Sequence, residues 1–170
     1  MVSAHSHAFQ RAIRGRTEYR ARHQEDFWTW REAMYRAVTR LMPDDLYAIS
    51  RMCFLEMARA GITAVGEFHY VHNDPQGAPY ADPNELGRQV ARAAREVGLR
   101  VTMLRVAYAR SGFEVAENPR QRRFMEPSAD VYLKNLDALV STAADPLLKI
   151  GVAPHSVRAC TARWIEPIAA

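Results

Sequence analysis

The stretch "ITAVGEFHY", residues 62–70, is β-branched and apolar at its start and turns polar only at its C-terminal end. A buried strand of a parallel sheet reads this way, because helices cover both faces and leave no solvent side to alternate with. Before it, "PDDLYAISRMCFLEMARAG" (residues 43–61) repeats Leu46, Ile49, Cys53 and Met57 at helical spacing, with Asp44 as the expected cap and Gly61 as the stop. After it, "ADPNELGRQVARAAREVG" (residues 81–98) opens with Asp82 as the expected cap, Pro83 at the first helical position and Glu85 closing a capping-box-like arrangement, and it ends at Gly98. "LRVTMLRVAYA" then follows as another strand.

The same alternation extends in both directions. "EDFWTWREAMYRAVTRLM" (residues 25–42) places Phe27, Trp30, Met34, Ala37, Val38 and Leu41 at helical spacing before Pro43. Residues 110–127, "RSGFEVAENPRQRRFMEP", read as a surface loop, and Ser128 caps a helix expected to run to about Ser141. "LLKIGVAPHSV" is the next strand, and "TARWIEPIAA" begins a last helix. Strands alternating with helices predict an α/β fold of βα units on a parallel sheet, forming one domain over residues 1–170. Residues 8–43 are the loop and helix that follow the first strand. A chain of 170 residues is well short of the roughly 250 of a closed (β/α)8 barrel.

Composition narrows the function. The chain carries a net charge of +4, with 21 arginines and two lysines, but acidic residues are interleaved with most of the arginines. No concentrated basic stripe forms, so nucleic acid is not an expected partner. No apolar run approaches the roughly 20 residues of a membrane span, and no secretory signal is visible. Cys53 and Cys160 sit in no paired or ligand-like pattern, so they are expected as reduced thiols in a cytoplasmic protein.

Parallel α/β folds place their sites at the C-terminal ends of the strands. Four of the six histidines, His5, His7, His69 and His155, fall at such ends. In "MVSAHSHAFQ", His5 and His7 alternate along a strand, so both rings can point to one side and share a divalent ion, most simply zinc. Glu67 lies inside a buried strand, where an ion pair is its expected role. His69 and His72 are expected behind the site or in its loop, and Arg14 and Arg16 on a solvated loop. Trp28 and Trp30 either pack that loop or line a substrate pocket.

Four blocks, "HSHAFQRA", "FWTWREAMYR", "EFHYVHNDPQGAPYADP" and "GVAPHSVRA", together resemble the amidohydrolase superfamily and, within it, the formimidoylglutamate deiminases. The HxH pair indicates the superfamily; the other three blocks, in this order and spacing, point to the deiminases. The resemblance implies the first four βα units of a TIM-type (β/α)8 barrel, an incomplete half barrel with open edges. It implies zinc, one per site, with His5 and His7 as its first two ligands. It also implies Gln10, Arg31, Tyr70, His155 and Arg158 as substrate contacts.

The substrate implied is a small molecule with two carboxylates, which paired arginines suit because a guanidinium offers planar bidentate donors. The implied reaction is hydrolytic deimination of N-formimidoyl-L-glutamate to N-formyl-L-glutamate and ammonia, a step of histidine degradation. The family's remaining zinc ligands and its proton-shuttling glutamate match no residue up to Ala170. No catalytic residue is therefore expected within this chain, and the isolated 170 residues are expected to be nearly inactive. Unpaired sheet edges favour self-association, and the family suggests a homodimer for a full-length enzyme. Two other readings stay open: a superfamily hydrolase acting on a purine, pterin or triazine ring, and a non-catalytic α/β piece that binds a carboxylate or a partner.

Overall fold

The computed structural model describes residues 1–17 and 27–169. Its four parallel strands are β1 (Val2–Ser6), β2 (Ala64–His69), β3 (Arg100–Ala107) and β4 (Leu148–Pro154), in the spatial order β1-β2-β3-β4. Helices α1 (Phe27–Val38) and α2 (Pro43–Arg59) connect the first two strands, α3 (Glu85–Val97) and α4 (Ala129–Ser141) connect the rest, and α5 (Ala162–Ala169) follows β4. Each strand pairs with the next in the chain, as expected for the first four units of a TIM-type barrel, and β1 and β4 are the outer strands of the sheet. No helix among the described residues is long and apolar enough to cross a membrane.

Register defines two faces. Val65, Glu67 and His69 pair with Val101, Met103 and Arg105, and these six are buried on the side packed against the helices. Gly66 and Phe68 pair with Thr102 and Leu104, which pair in turn with Lys149 and Gly151 on the concave face. The core lies between sheet and helices, where Leu46 and Phe54 of α2, Leu86 and Val90 of α3, and Val101 and Met103 of β3 are all nearly inaccessible.

Two helix starts differ from the sequence reading. Asp44 is not the cap of α2: Met42 occupies that position, and its N–H donates to the Asp45 carboxylate at 2.9 Å, with Pro43 in the first turn. Helix α3 begins at Glu85 rather than Pro83. Asp82 is occupied by a local turn, its Oδ1 accepting from the Asn84 N–H at 2.9 Å and its Oδ2 from Arg88. The cap of α4 is as expected, Ser128 Oγ accepting from the Val131 N–H at 3.2 Å. Residues 25 and 26 of the first helical pattern lie outside the described residues.

The segment 110–127 is a surface loop only in its first half, where Phe113 and Val115 are exposed. Its 3-10 helix, Pro119–Phe124, turns inward and buries Gln121, Arg123 and Phe124. Arg123 explains the turn: its guanidinium donates to the carbonyls of Asn73, Val38 and Leu41. Two of these belong to the C-terminal end of α1 and the residues after it, where helical carbonyls lose their intrahelical partners.

A buried ion pair ties the same segment to β3. Arg105 donates through both terminal nitrogens to Glu126 at 2.8 Å and through Nε to Asn84 Oδ1 at 2.9 Å, with side chains 1% and 4% exposed for the pair. Burial alone would raise the Glu126 carboxyl, but the Arg105 hydrogen bonds and the neighbouring His72 and Asn135 outweigh it and hold it below the ordinary range. Removing one partner leaves a desolvated charge uncompensated. Glu126→Ala is therefore expected to cost about 3–5 kcal/mol in urea unfolding; a cost below about 1 kcal/mol would mean that the pair behaves as a surface contact.

Candidate metal and substrate site

The geometry at the mouth of the half barrel begins with a register break in β1. Ser3 pairs with Val65 and Ser6 with Glu67, so three steps along β1 match two along β2. In a regular strand His5 would share the face of Ser3 and point toward the helices, because one residue of slip exchanges the two faces. The extra residue turns Ser6 to the helix side and sends His5 and His7 to the concave face, where both rings lie against Phe68 at 5.4 and 5.5 Å between centroids. Gly66 makes room for it: a Cβ there would stand 2.7 Å from the Ala4 carbonyl oxygen.

The two imidazoles converge, with Nε2 of His5 and Nε2 of His7 3.0 Å apart. Nitrogens bound tetrahedrally to one zinc ion at 2.0–2.1 Å would be separated by about 3.3 Å. His7 Nδ1 lies 3.0 Å from the Phe68 carbonyl, so it carries the proton and leaves Nε2 with its lone pair toward the pair's shared space. Burial, opposed by that hydrogen bond, lowers the His7 pKa and favours the neutral form that a metal needs. The donor set thus fits two positions of a zinc site. Among the described residues, no group of three or more His, Cys, Asp or Glu completes one.

Around this pair stand most of the residues singled out in the sequence. Gln10, in the 3-10 helix Ala8–Ile13, donates from Nε2 to Tyr70 Oη at 3.1 Å. The Tyr70 ring meets His7 edge-on at 5.3 Å and His155 at 5.5 Å, and burial raises its phenol, which stays protonated. His155 follows β4 and engages Ser156 Oγ through Nδ1 at 3.2 Å. Burial first, then Arg158 and His7, push its pKa down to about 4, so the ring is neutral near pH 7. Arg158 donates to the Ser111 carbonyl and, at 3.4 Å, to Tyr108 Oη.

Arg31 reaches the region from α1 and stands apart from the others. Its guanidinium lies 4.4 Å over the Trp28 ring and 5.5 Å from the Tyr35 ring centre, and its buried Nε has no hydrogen-bond partner among the described residues. Both Arg31 and Arg158 act on the Tyr35 phenol, which burial pushes up to about 12. Tyr35 is therefore within electrostatic reach of both arginines. Trp28 is largely exposed, while Trp30 is half-buried against the core.

His69 and His72 lie behind the mouth, where they were expected, and the ion pair expected of Glu67 is corrected. His69 does not join the mouth: it faces the helices, 3.6 Å from where a Cβ on Gly87 would sit. His72 is likewise buried, its Nε2 2.8 Å from the Val106 carbonyl. Among the described residues Glu67 forms no ion pair, and it accepts the Ala8 N–H at 2.7 Å, bracing the turn that follows His7. Arg14, placed on a solvated loop, pairs with Glu56 at 2.8 Å while remaining exposed. Tyr108, to which the sequence reading gave no role in the site, lies beside His155 and Arg158 and accepts a hydrogen bond from Gln121, which that reading passed over.

The model of the amidohydrolase family matches residues 1–170. The chain belongs to the amidohydrolase family. This amidohydrolase is 43% identical over its whole length to formimidoylglutamate deiminase of Pseudomonas aeruginosa, of which it spans 38%. Its fold superposes on an amidohydrolase from Brucella melitensis with a TM-score of 0.83 and 37% identity, covering 99% of this chain and 38% of that one. It also superposes on the zinc complex of atrazine chlorohydrolase from Arthrobacter aurescens, TM-score 0.76 at 20% identity, covering 99% of this chain and 37% of that one, a likeness of fold alone.

The buried titrating groups set the pH response of this amidohydrolase. Burial, reinforced by Arg105, lowers His72 from 6.5 to about 4, and His155 falls similarly. Between those values the unfolded chain binds more protons, so their contribution is intact above pH 6.5 and is lost as pH falls toward 4. Glu67, pushed by burial from 4.5 up to about 7, acts in the opposite sense, its contribution being lost as pH rises through that window. Urea midpoints of the chelator-treated chain are expected to rise from pH 4.5 to 6.5, and to rise more steeply in Glu67→Gln. A midpoint that falls over this range in both would contradict the assignment.

Proposed function

We propose that this chain contributes the first half of the site of a zinc-dependent formimidoylglutamate deiminase, which hydrolyses N-formimidoyl-L-glutamate to N-formyl-L-glutamate and ammonia during histidine degradation in the cytoplasm. The observation that carries the reading is the meeting of His5, His7, Gln10, Tyr70 and His155 at one strand mouth, with Arg158 beside them. Identity of 43% to the Pseudomonas aeruginosa deiminase across the whole chain supports the choice within the family.

Each residue then has a task. His5 and His7 would hold zinc, whose chemistry when bound is Lewis-acid polarisation and acidification of water. Gln10, fixed by Tyr70, presents its amide to the formimidoyl group. His155, neutral near pH 7, offers its remaining ring nitrogen to the same group. Arg158 and Arg31 receive the two carboxylates of the glutamate moiety, the guanidinium fork matching each planar anion. In this reading the proton-shuttling groups are not among residues 1–170, so the 170-residue chain alone turns over slowly.

The test completes the barrel with the remaining strands of the Pseudomonas relative and measures ammonia release with zinc supplied. Turnover of N-formimidoyl-L-glutamate and none of guanine or a chlorotriazine is expected. Arg158→Ala is expected to raise KM by about tenfold or more, as loss of a charged hydrogen-bond donor to a carboxylate does. Preference for a heterocycle would overturn the substrate. In the same assay the isolated chain is expected to release little ammonia, and turnover equal to that of the completed barrel would refute the division of the site.

A further inference from the structure

Gln121 is a polar side chain, 2% exposed, in a segment whose neighbours Arg120 and Arg122 are exposed. Its Nε2 donates to two phenols at once, Tyr108 Oη at 2.6 Å and Tyr35 Oη at 2.8 Å. Tyr108, also 2% exposed, is the hub of the arrangement. Its ring lies 4.5 Å from the His155 ring, and its oxygen accepts Arg158 Nη2 at 3.4 Å in addition to Gln121. Two donors occupy the lone pairs of that oxygen, so the position of the phenol fixes one terminal nitrogen of Arg158. Through Tyr35 the same amide reaches the ring over which Arg31 lies at 5.5 Å.

We infer that Gln121 is a positioning residue of the binding mouth, holding Tyr108 against His155 and Arg158 and Tyr35 against Arg31, and thereby setting the spacing of the two guanidiniums. The inference rests on the dicarboxylate reading proposed above and extends it to residues that touch no substrate in that reading. A single amide bridging the two sides makes the arginine spacing a property of the 3-10 helix Pro119–Phe124, which Arg123 anchors to the end of α1. The ligand class selected is a dicarboxylate whose two anionic groups are set apart on a short aliphatic spacer.

The test titrates the full 170-residue chain with glutarate and, separately, with zinc. Gln121→Leu removes the donor and keeps apolar bulk, whereas Tyr108→Phe removes only the oxygen and keeps the ring against His155. Each is expected to weaken glutarate binding about tenfold, as loss of a residue that orients a ligand-binding side chain does, with zinc affinity at His5 and His7 unchanged. The double variant is expected to lose no more than either single one, because both act through the same hydrogen bond. Additive losses, glutarate binding within twofold of the parental chain in both singles, or parallel loss of zinc in Tyr108→Phe would overturn the positioning role. Failure of the parental chain itself to bind glutarate would overturn the dicarboxylate reading as well, which separates the two claims.

Discussion

The mouth of this half barrel depends on one extra residue in β1 and on the glycine that makes room for it. Sheet parity is unforgiving: side chains alternate, and a shift of one residue exchanges the faces. Ser3 and Ser6 both face the helices, which requires the register to slip between them and turns His5 and His7 toward the concave side. The slip pushes the Ala4 carbonyl to where a Cβ on residue 66 would stand, so only glycine fits opposite it. The facing imidazoles, their contact with Phe68 and the Tyr70 and Gln10 pair beyond them all follow from that local geometry.

The two faces of β2 then divide the labour. Phe68 and, just beyond the strand, Tyr70 serve the mouth, while Glu67 and His69 are sealed against the helices. Glu67 reaches back to the Ala8 N–H, so the turn after His7 is held from the helix side as the ring is held by the Phe68 carbonyl from within the sheet. Buried charges are costly, and burial keeps His72 and His155 neutral near pH 7 and pushes the Glu67 carboxyl up to about 7. The fully charged buried groups, Arg105 and Arg123, sit outside the mouth and are matched by a carboxylate or by helix-end carbonyls.

Much of this was legible in the sequence because the βα alternation is periodic and the strand ends carry chemistry. The βα units on a parallel sheet, the Ser128 cap and the position of HxH at a strand tip came from pattern, whereas the half barrel and the substrate-contact reading of Gln10, Tyr70 and His155 came from resemblance. What escaped has a common cause: local signals were outweighed by tertiary ones. Asp82 reads as a helix cap, but Arg88 and a local turn claim its carboxylate. Glu67 reads as half of a buried ion pair, but its carboxylate is claimed by the Ala8 N–H. Gln121 hides in an Arg-rich stretch whose neighbours are solvated, and only the fold reveals the two phenols it serves. Gly66 did carry a readable sign, since a glycine inside a strand marks a bulge or a close backbone approach.

The site therefore rests on Gly66 as much as on the histidines. The most direct measurement is the zinc affinity of Gly66→Ala against the parental chain, by competition with a chromophoric chelator, with circular dichroism to establish that both are folded. A methyl group pressed against the Ala4 carbonyl must undo the slip or displace β1, so a folded variant with zinc affinity reduced about tenfold or more is expected, the scale on which ligand-orienting contacts act. A folded Gly66→Ala that binds zinc as tightly as the parental chain would contradict the claim that the register break builds the site.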